Sequence, residues 1–179
     1  MAPESAGTQA LSRGRVAIVT GAGRGIGRAM TLGLAQAGIR VVATSVREHA
    51  EIDAVAAEAA RIWSSPFLPT AGRGMRYVSE SFMTEPTRFR EVEPETRRMV
   101  IDTNVNGPFL MARAATPHMA RAGWGRIVNI SMSRSTMRRA GFSPYGPSKA
   151  ALESETALWA QDLAGTGVTV MPCCRAAPR

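Results

Sequence analysis

The sequence predicts an α/β domain, a parallel sheet with helices on both faces. Three observations predict it. Short β-branched apolar runs alternate with stretches of helix composition. The first run passes through a glycine-rich turn into a helix. No internal repeat and no linker divides the 179 residues, a length that suits one hydrophobic core.

Residues 15–20 read Arg-Val-Ala-Ile-Val-Thr, the pattern of a buried parallel strand. The turn Gly21-Ala22-Gly23-Arg24-Gly25-Ile26-Gly27 follows. Residues 28–37 are predicted as a helix that stops at Gly38, and residues 39–44 as a second strand. Strand, glycine turn, helix and strand make a right-handed βαβ unit. Residues 48–63 are alanine-rich and helical. Ser64-Ser65-Pro66 breaks that helix, and residues 67–72 hold at best a stub of strand. Residues 73–95 show no period and are expected to be a long loop.

A long helix is expected over residues 94–119, with Pro108 as a possible kink. Gly123-Trp124-Gly125 turns the chain into a strand over residues 126–130. A loop is expected over 131–143 and a helix over 144–163, with Ser143 as N-cap and Pro144 at its first position. Residues 168–170 begin a further strand. The whole is expected to be one domain, with a loose leader over 1–12 and an irregular tail over 171–179.

Composition narrows the function. The net charge is +8 and aromatic residues make up 6%. The arginines are scattered and stacking residues are scarce, so nucleic acid is not expected as a partner. No window reaches the ~18–20 consecutive apolar residues of a membrane span. The first residues lack the pattern of a secretory signal, and a cytoplasmic setting is expected. Cys173 and Cys174 are adjacent and have no partner cysteines. His49 and His118 have no metal-ligand spacing, so no metal is expected.

The glycine turn carries the first chemistry. A dinucleotide pyrophosphate binds at a helix N-terminus, where free backbone N–H groups and the helix dipole meet it. Glycines let the backbone turn tightly and approach closely. Gly21, Gly25 and Gly27 stand between strand and helix, the context this role requires. Selectivity for the adenosine ribose comes from the end of the second strand, which reads Ala43-Thr44-Ser45-Val46-Arg47. No acid stands there to accept a 2′-hydroxyl. Arg24 and Arg47 favour a 2′-phosphate, so NADP(H) is expected, with NAD(H) as the alternative.

Tyr145-Gly146-Pro147-Ser148-Lys149 carries the second. Tyrosine and lysine at i and i+4 share one helical face. An ammonium beside a phenol favours the phenolate, which suits Tyr145 to acid/base work on a hydroxyl or carbonyl oxygen. Lys149 is the only lysine in the chain. Arginine differs from it in shape and in ease of losing a proton.

Thr20-Gly21-x-x-x-Gly25-Ile26-Gly27, Asn104, Ile127-Val128-Asn129-Ile130-Ser131 and Tyr145-x-x-x-Lys149 occur in this order. Together they resemble the short-chain dehydrogenases/reductases. The resemblance implies a Rossmann-like fold and an NAD(P)-dependent oxidoreductase that transfers hydride between nicotinamide and an alcohol or ketone. It implies cofactor contacts from Thr20, Gly21, Arg24, Gly25, Ile26, Gly27, Ser45, Arg47, Tyr145 and Lys149. Tyr145 would be the proton donor or acceptor, and Lys149 would hold the nicotinamide ribose. Asn104 would anchor a proton-relay water. A serine at the end of the fourth strand would orient the substrate. In relatives the helices matching residues 94–119 and 144–163 form subunit faces, which implies a homo-oligomer.

The chain departs from that pattern in three places. The family spacing puts Met132 where the serine belongs; Ser133 is the first candidate and Ser131 the second. An internal strand–helix unit is missing, and Pro69-Thr70 replaces an Asn-Asn pair. After residue 170 the expected lid and last strand do not follow. The tail, Met171-Pro172-Cys173-Cys174-Arg175 and onward, looks like a shifted reading frame. These departures leave a second reading open. It is a catalytically weak or inactive relative that at most binds nucleotide or other subunits.

Overall fold

The structure is a computed structural model and describes residues 15–44, 49–62, 75–79 and 85–175, with only the backbone of 49, 60, 62, 75–79 and 175. Contacts divide the chain into two compact units, residues 1–80 and 81–179.

The first unit is built on β1 (Val16–Thr20), flanked by β2 (Arg40–Thr44) and β3 (Met75–Ser79), all parallel. Helix α1 (Gly25–Gln36) links β1 to β2, and α2 (His49–Ile62) follows β2. Ala17 and Val19 of β1 are fully buried, joined by Ile39 and by Val55 of α2. Alternate burial along β1 is the period-2 signature of a strand. An ion pair between Arg28 and Glu58 ties α1 to α2 at the surface.

β3 corrects one expectation. Residues 73–95 were expected to form a loop, yet Met75–Ser79 pairs with β1 in register, Ile18 opposite Tyr77. Five residues between breakers give little periodicity to read, and the ladder offered by β1 decides the conformation. The segment 67–72, with Pro69 and Thr70, lies outside the described residues. So do Ser45, Arg47, the leader and the last four residues.

The second unit pairs β4 (Gly125–Met132) with β5 (Val168–Arg175), also parallel. Ahead of β4 run a short 3₁₀ turn (Phe89–Glu91), α3 (Pro94–Ile101) and α4 (Gly107–Arg121). Between the strands lie α5 (Arg134–Met137) and α6 (Tyr145–Asp162). Val100, Met119, Ile127 and Leu152 form its core.

Four boundaries differ from expectation. The single long helix is two, α3 and α4, joined by a π-helical turn over Asp102–Asn106. Pro108 explains the break, since it has no N–H for the carbonyl four residues back, that of Asn104. β4 runs on through Ser131 and Met132, and α5 forms inside the expected loop. α6 starts at Tyr145 with Pro144 as its cap, so Ser143 does not cap it. β5 continues through Pro172, Cys173 and Cys174, where an irregular tail was expected.

Candidate functional site

The chemistry-bearing residues fall into one group in each unit. In the first, Thr20 ends β1 and the glycine turn leads into α1. Gly21 and Gly25 hold φ of 61° and 55°, the left-handed region open to glycine. Gly27 allows a close approach, since a Cβ there would lie 2.3 Å from the Gly21 carbonyl oxygen. The turn is tied to the sheet by the Ala22 N–H, which donates to the Thr44 carbonyl at 3.0 Å. Ile26 follows Gly25 in the first turn of α1. Arg24, at the N-cap of α1, is exposed and gives the helix no side-chain cap, and the first turn holds no acid. The first N–H groups of α1 are thus left to an anion, which fits a dinucleotide pyrophosphate.

One residue near the turn escaped the sequence reading. Glu51, in the first turn of α2, packs over Gly23, where a Cβ would meet its Cβ and Oε2 at 2.9 Å. No acid stands at the end of β2 itself, and only the fold of α2 carries Glu51 to the turn.

The second group gathers around the first turns of α6. Tyr145 and Lys149 share one face, the Lys149 Nζ 5.7 Å from the Tyr145 ring centroid. Lys149 is fully buried, and its ammonium donates to the Ile130 carbonyl of β4 at 2.5 Å. That hydrogen bond satisfies one of the donors of a group taken fully out of water. Pro147, in the first helical turn, costs no helical hydrogen bond.

Asn104 is fully buried in the π turn, and its Nδ2 donates to Ser148 Oγ at 3.0 Å. Ser148 in turn donates to the Tyr145 carbonyl at 2.7 Å. Asn104, Tyr145 and Lys149 are therefore brought to the same end of α6. A second amide–hydroxyl link lies two turns along, Asn129 Nδ2 to Thr156 Oγ1 at 2.8 Å.

The two candidate serines have other partners. Ser133 is the N-cap of α5, its Oγ accepting from the Thr136 N–H at 3.3 Å and lying 2.8 Å from Thr136 Oγ1. Ser131 is buried and donates to Glu153 Oε1 of α6 at 2.7 Å. Met132 between them is buried. Cys174 faces the same carboxylate, at 3.8 Å. Burial first, and then the neighbouring Glu153 charge, push its thiol pKa up, which disfavours the thiolate. Among the described residues no group of three or more His, Cys, Asp or Glu could hold a metal ion.

Comparison with known proteins shows the family. The short chain dehydrogenase family matches residues 15–73 and 69–177. A short-chain type dehydrogenase/reductase of Picea abies is 33% identical over 189 residues, covering 87% of this chain and 68% of the relative. NADPH-dependent aldehyde reductase 2, chloroplastic, of Arabidopsis thaliana is 31% identical, covering 88% of this chain and 70% of the relative. Among solved structures, a metagenomic short-chain oxidoreductase in complex with NADP superposes with a TM-score of 0.82 at 26% identity. That superposition covers 93% of this chain and 84% of the other. No described helix is long and apolar enough to cross a membrane.

Proposed function

We infer, from the premise that this chain belongs to the short-chain dehydrogenase family of NAD(P)-dependent oxidoreductases, that Tyr145 is its acid/base and that an alcohol or carbonyl compound is its substrate. The observation that carries the inference is the Tyr145–Lys149 pair at the start of α6, with its ammonium buried and hydrogen-bonded.

When bound, the nicotinamide supplies or accepts a hydride. The chain's own residues do the rest. The Tyr145 hydroxyl gives its proton to the carbonyl oxygen, or in the reverse direction the Tyr145 phenolate takes the proton of the alcohol. Lys149, anchored on the Ile130 carbonyl, would hold a ribose hydroxyl of the cofactor. Asn104, fixed in the π turn, holds the relay water. Gly21, Gly25 and Gly27, with the N–H groups of α1, hold the pyrophosphate. Ser133 and Ser131 are both engaged elsewhere, which favours a slow enzyme in which no serine orients the substrate oxygen.

The cofactor is NADP(H) in preference to NAD(H). Arg24, exposed beside the turn, and the NADP bound by the metagenomic neighbour support this. Glu51 works against a 2′-phosphate. Self-association through α4 and α6 is supported by exposed Phe109, Leu110 and Leu158.

A fluorescence titration of the purified chain with NADPH and NADH, followed by nicotinamide absorbance with a panel of aldehydes and ketones, tests the reading. Saturable NADPH binding with turnover is expected. Binding without turnover would favour the inactive-relative reading, and no binding would overturn the cofactor assignment.

A further inference from the structure

We propose that Ser148 is a positioning residue, a clamp that fixes Asn104 against Tyr145. The proposal rests on the oxidoreductase reading above. Neither the sequence pattern nor the family comparison gives this residue a role.

Three observations carry it. Ser148 and Asn104 are both fully buried. The Ser148 hydroxyl is used in both directions. It accepts from Asn104 Nδ2 at 3.0 Å and donates to the Tyr145 carbonyl at 2.7 Å. A single hydroxyl therefore joins the π turn before α4 to the first turn of α6, across 44 positions of sequence.

The π turn gives the clamp its purpose. Pro108 withdraws the helical donor from the Asn104 carbonyl, and the backbone there takes the wider spiral instead. Such a turn interrupts the α-helical ladder on either side of it and is frequent at functional sites. The Asn104 amide is the side-chain tether that reaches from it to α6. Because Nδ2 points to Ser148, Asn104 serves the reaction through the place of its backbone, and Ser148 sets that place. Removing the hydroxyl takes away the acceptor that Asn104 Nδ2 uses on α6 and frees the turn to relax.

The test is a kinetic double-mutant cycle on the full chain with Ser148→Ala and Asn104→Ala. Ser148→Ala should lower kcat roughly ten- to hundredfold, the scale of an ångström misplacement. KM and the NADPH dissociation constant should hold within about twofold, which a merely structural loss would not spare. The double variant should lose no more than Asn104→Ala alone, since the two act as a unit. An unchanged kcat in Ser148→Ala, a parallel loss of cofactor binding, or additive losses would each overturn the proposal. If the unsubstituted chain binds NADPH but turns nothing over, the oxidoreductase reading fails by itself. The clamp is then decided by NMR of the asparagine side-chain amides. An Asn104 amide protected from exchange and exposed by Ser148→Ala supports the clamp, and one already unprotected overturns it.

Discussion

Lys149 of α6 donates its ammonium proton to the carbonyl of Ile130 in β4, across 19 positions of sequence. That bond fixes the direction of the longest fully buried side chain in the described structure. It also explains why the only lysine of an arginine-rich chain stands here. A compact ammonium on an unbranched stem fits a space in which a planar guanidinium does not. Lys149→Arg should therefore overpack, at a cost of about 1–3 kcal/mol in urea unfolding. It should also weaken NADPH binding in the same fluorescence titration.

Tyr145→Phe keeps the ring and removes the proton. Turnover should fall by about 10²–10⁴, the usual contribution of a general acid/base. NADPH affinity should change little. A variant with rates like those of the parent would remove Tyr145 from its assigned role.

Gly27→Ala would place a methyl 2.3 Å from the Gly21 carbonyl oxygen, with backbone on both sides. Neither partner is a flexible chain end. Cofactor binding should be lost, and stability should drop by about 1–3 kcal/mol. Circular dichroism during urea unfolding separates the two effects.

Glu51→Gln removes a negative charge from beside the glycine turn while keeping its packing over Gly23. NADPH should bind more tightly relative to NADH. Equal affinity ratios in the variant and the parent would remove Glu51 from cofactor selection.

Glu155 has a buried carboxylate oxygen with no hydrogen-bond partner among the described residues. Burial pushes its pKa above the ordinary value of 4.5. The folded state therefore favours the protonated acid. The resulting penalty is absent below the unfolded pKa and complete above the folded one, so it grows as pH rises through that window. Glu155→Gln should raise the urea midpoint at about pH 7 and make no difference near about pH 4.

Much of this was legible in the sequence because local chemistry decided it. The glycine turn and the Tyr145–Lys149 spacing each follow from residues that leave the backbone few alternatives, whereas Asn104 was marked only by the family resemblance. What was illegible depended on partners distant in sequence. β3 is too short to show a period, and only its neighbour makes it a strand. Ser133, and after it Ser131, stood as candidate substrate donors, but α5 takes Ser133 as its cap and Glu153 comes round on α6 to Ser131. Glu51 sits seven residues beyond the end of β2, and no spacing rule connects it to Gly23. The π turn had its cause in view at Pro108, but a proline in a helical pattern can equally give a bend.

Gly146, next to Tyr145, leaves a Cβ position only 2.1 Å from the Met137 carbonyl oxygen. Any engineering of substrate range inherits that contact. A library that randomises the segment between β4 and α6 can vary Arg138 and Arg139, whose side chains are exposed. It should hold position 146 constant, because a side chain there would prise α5 from α6 and move Tyr145 with it. Most such library members would be lost for want of space before their chemistry could be screened.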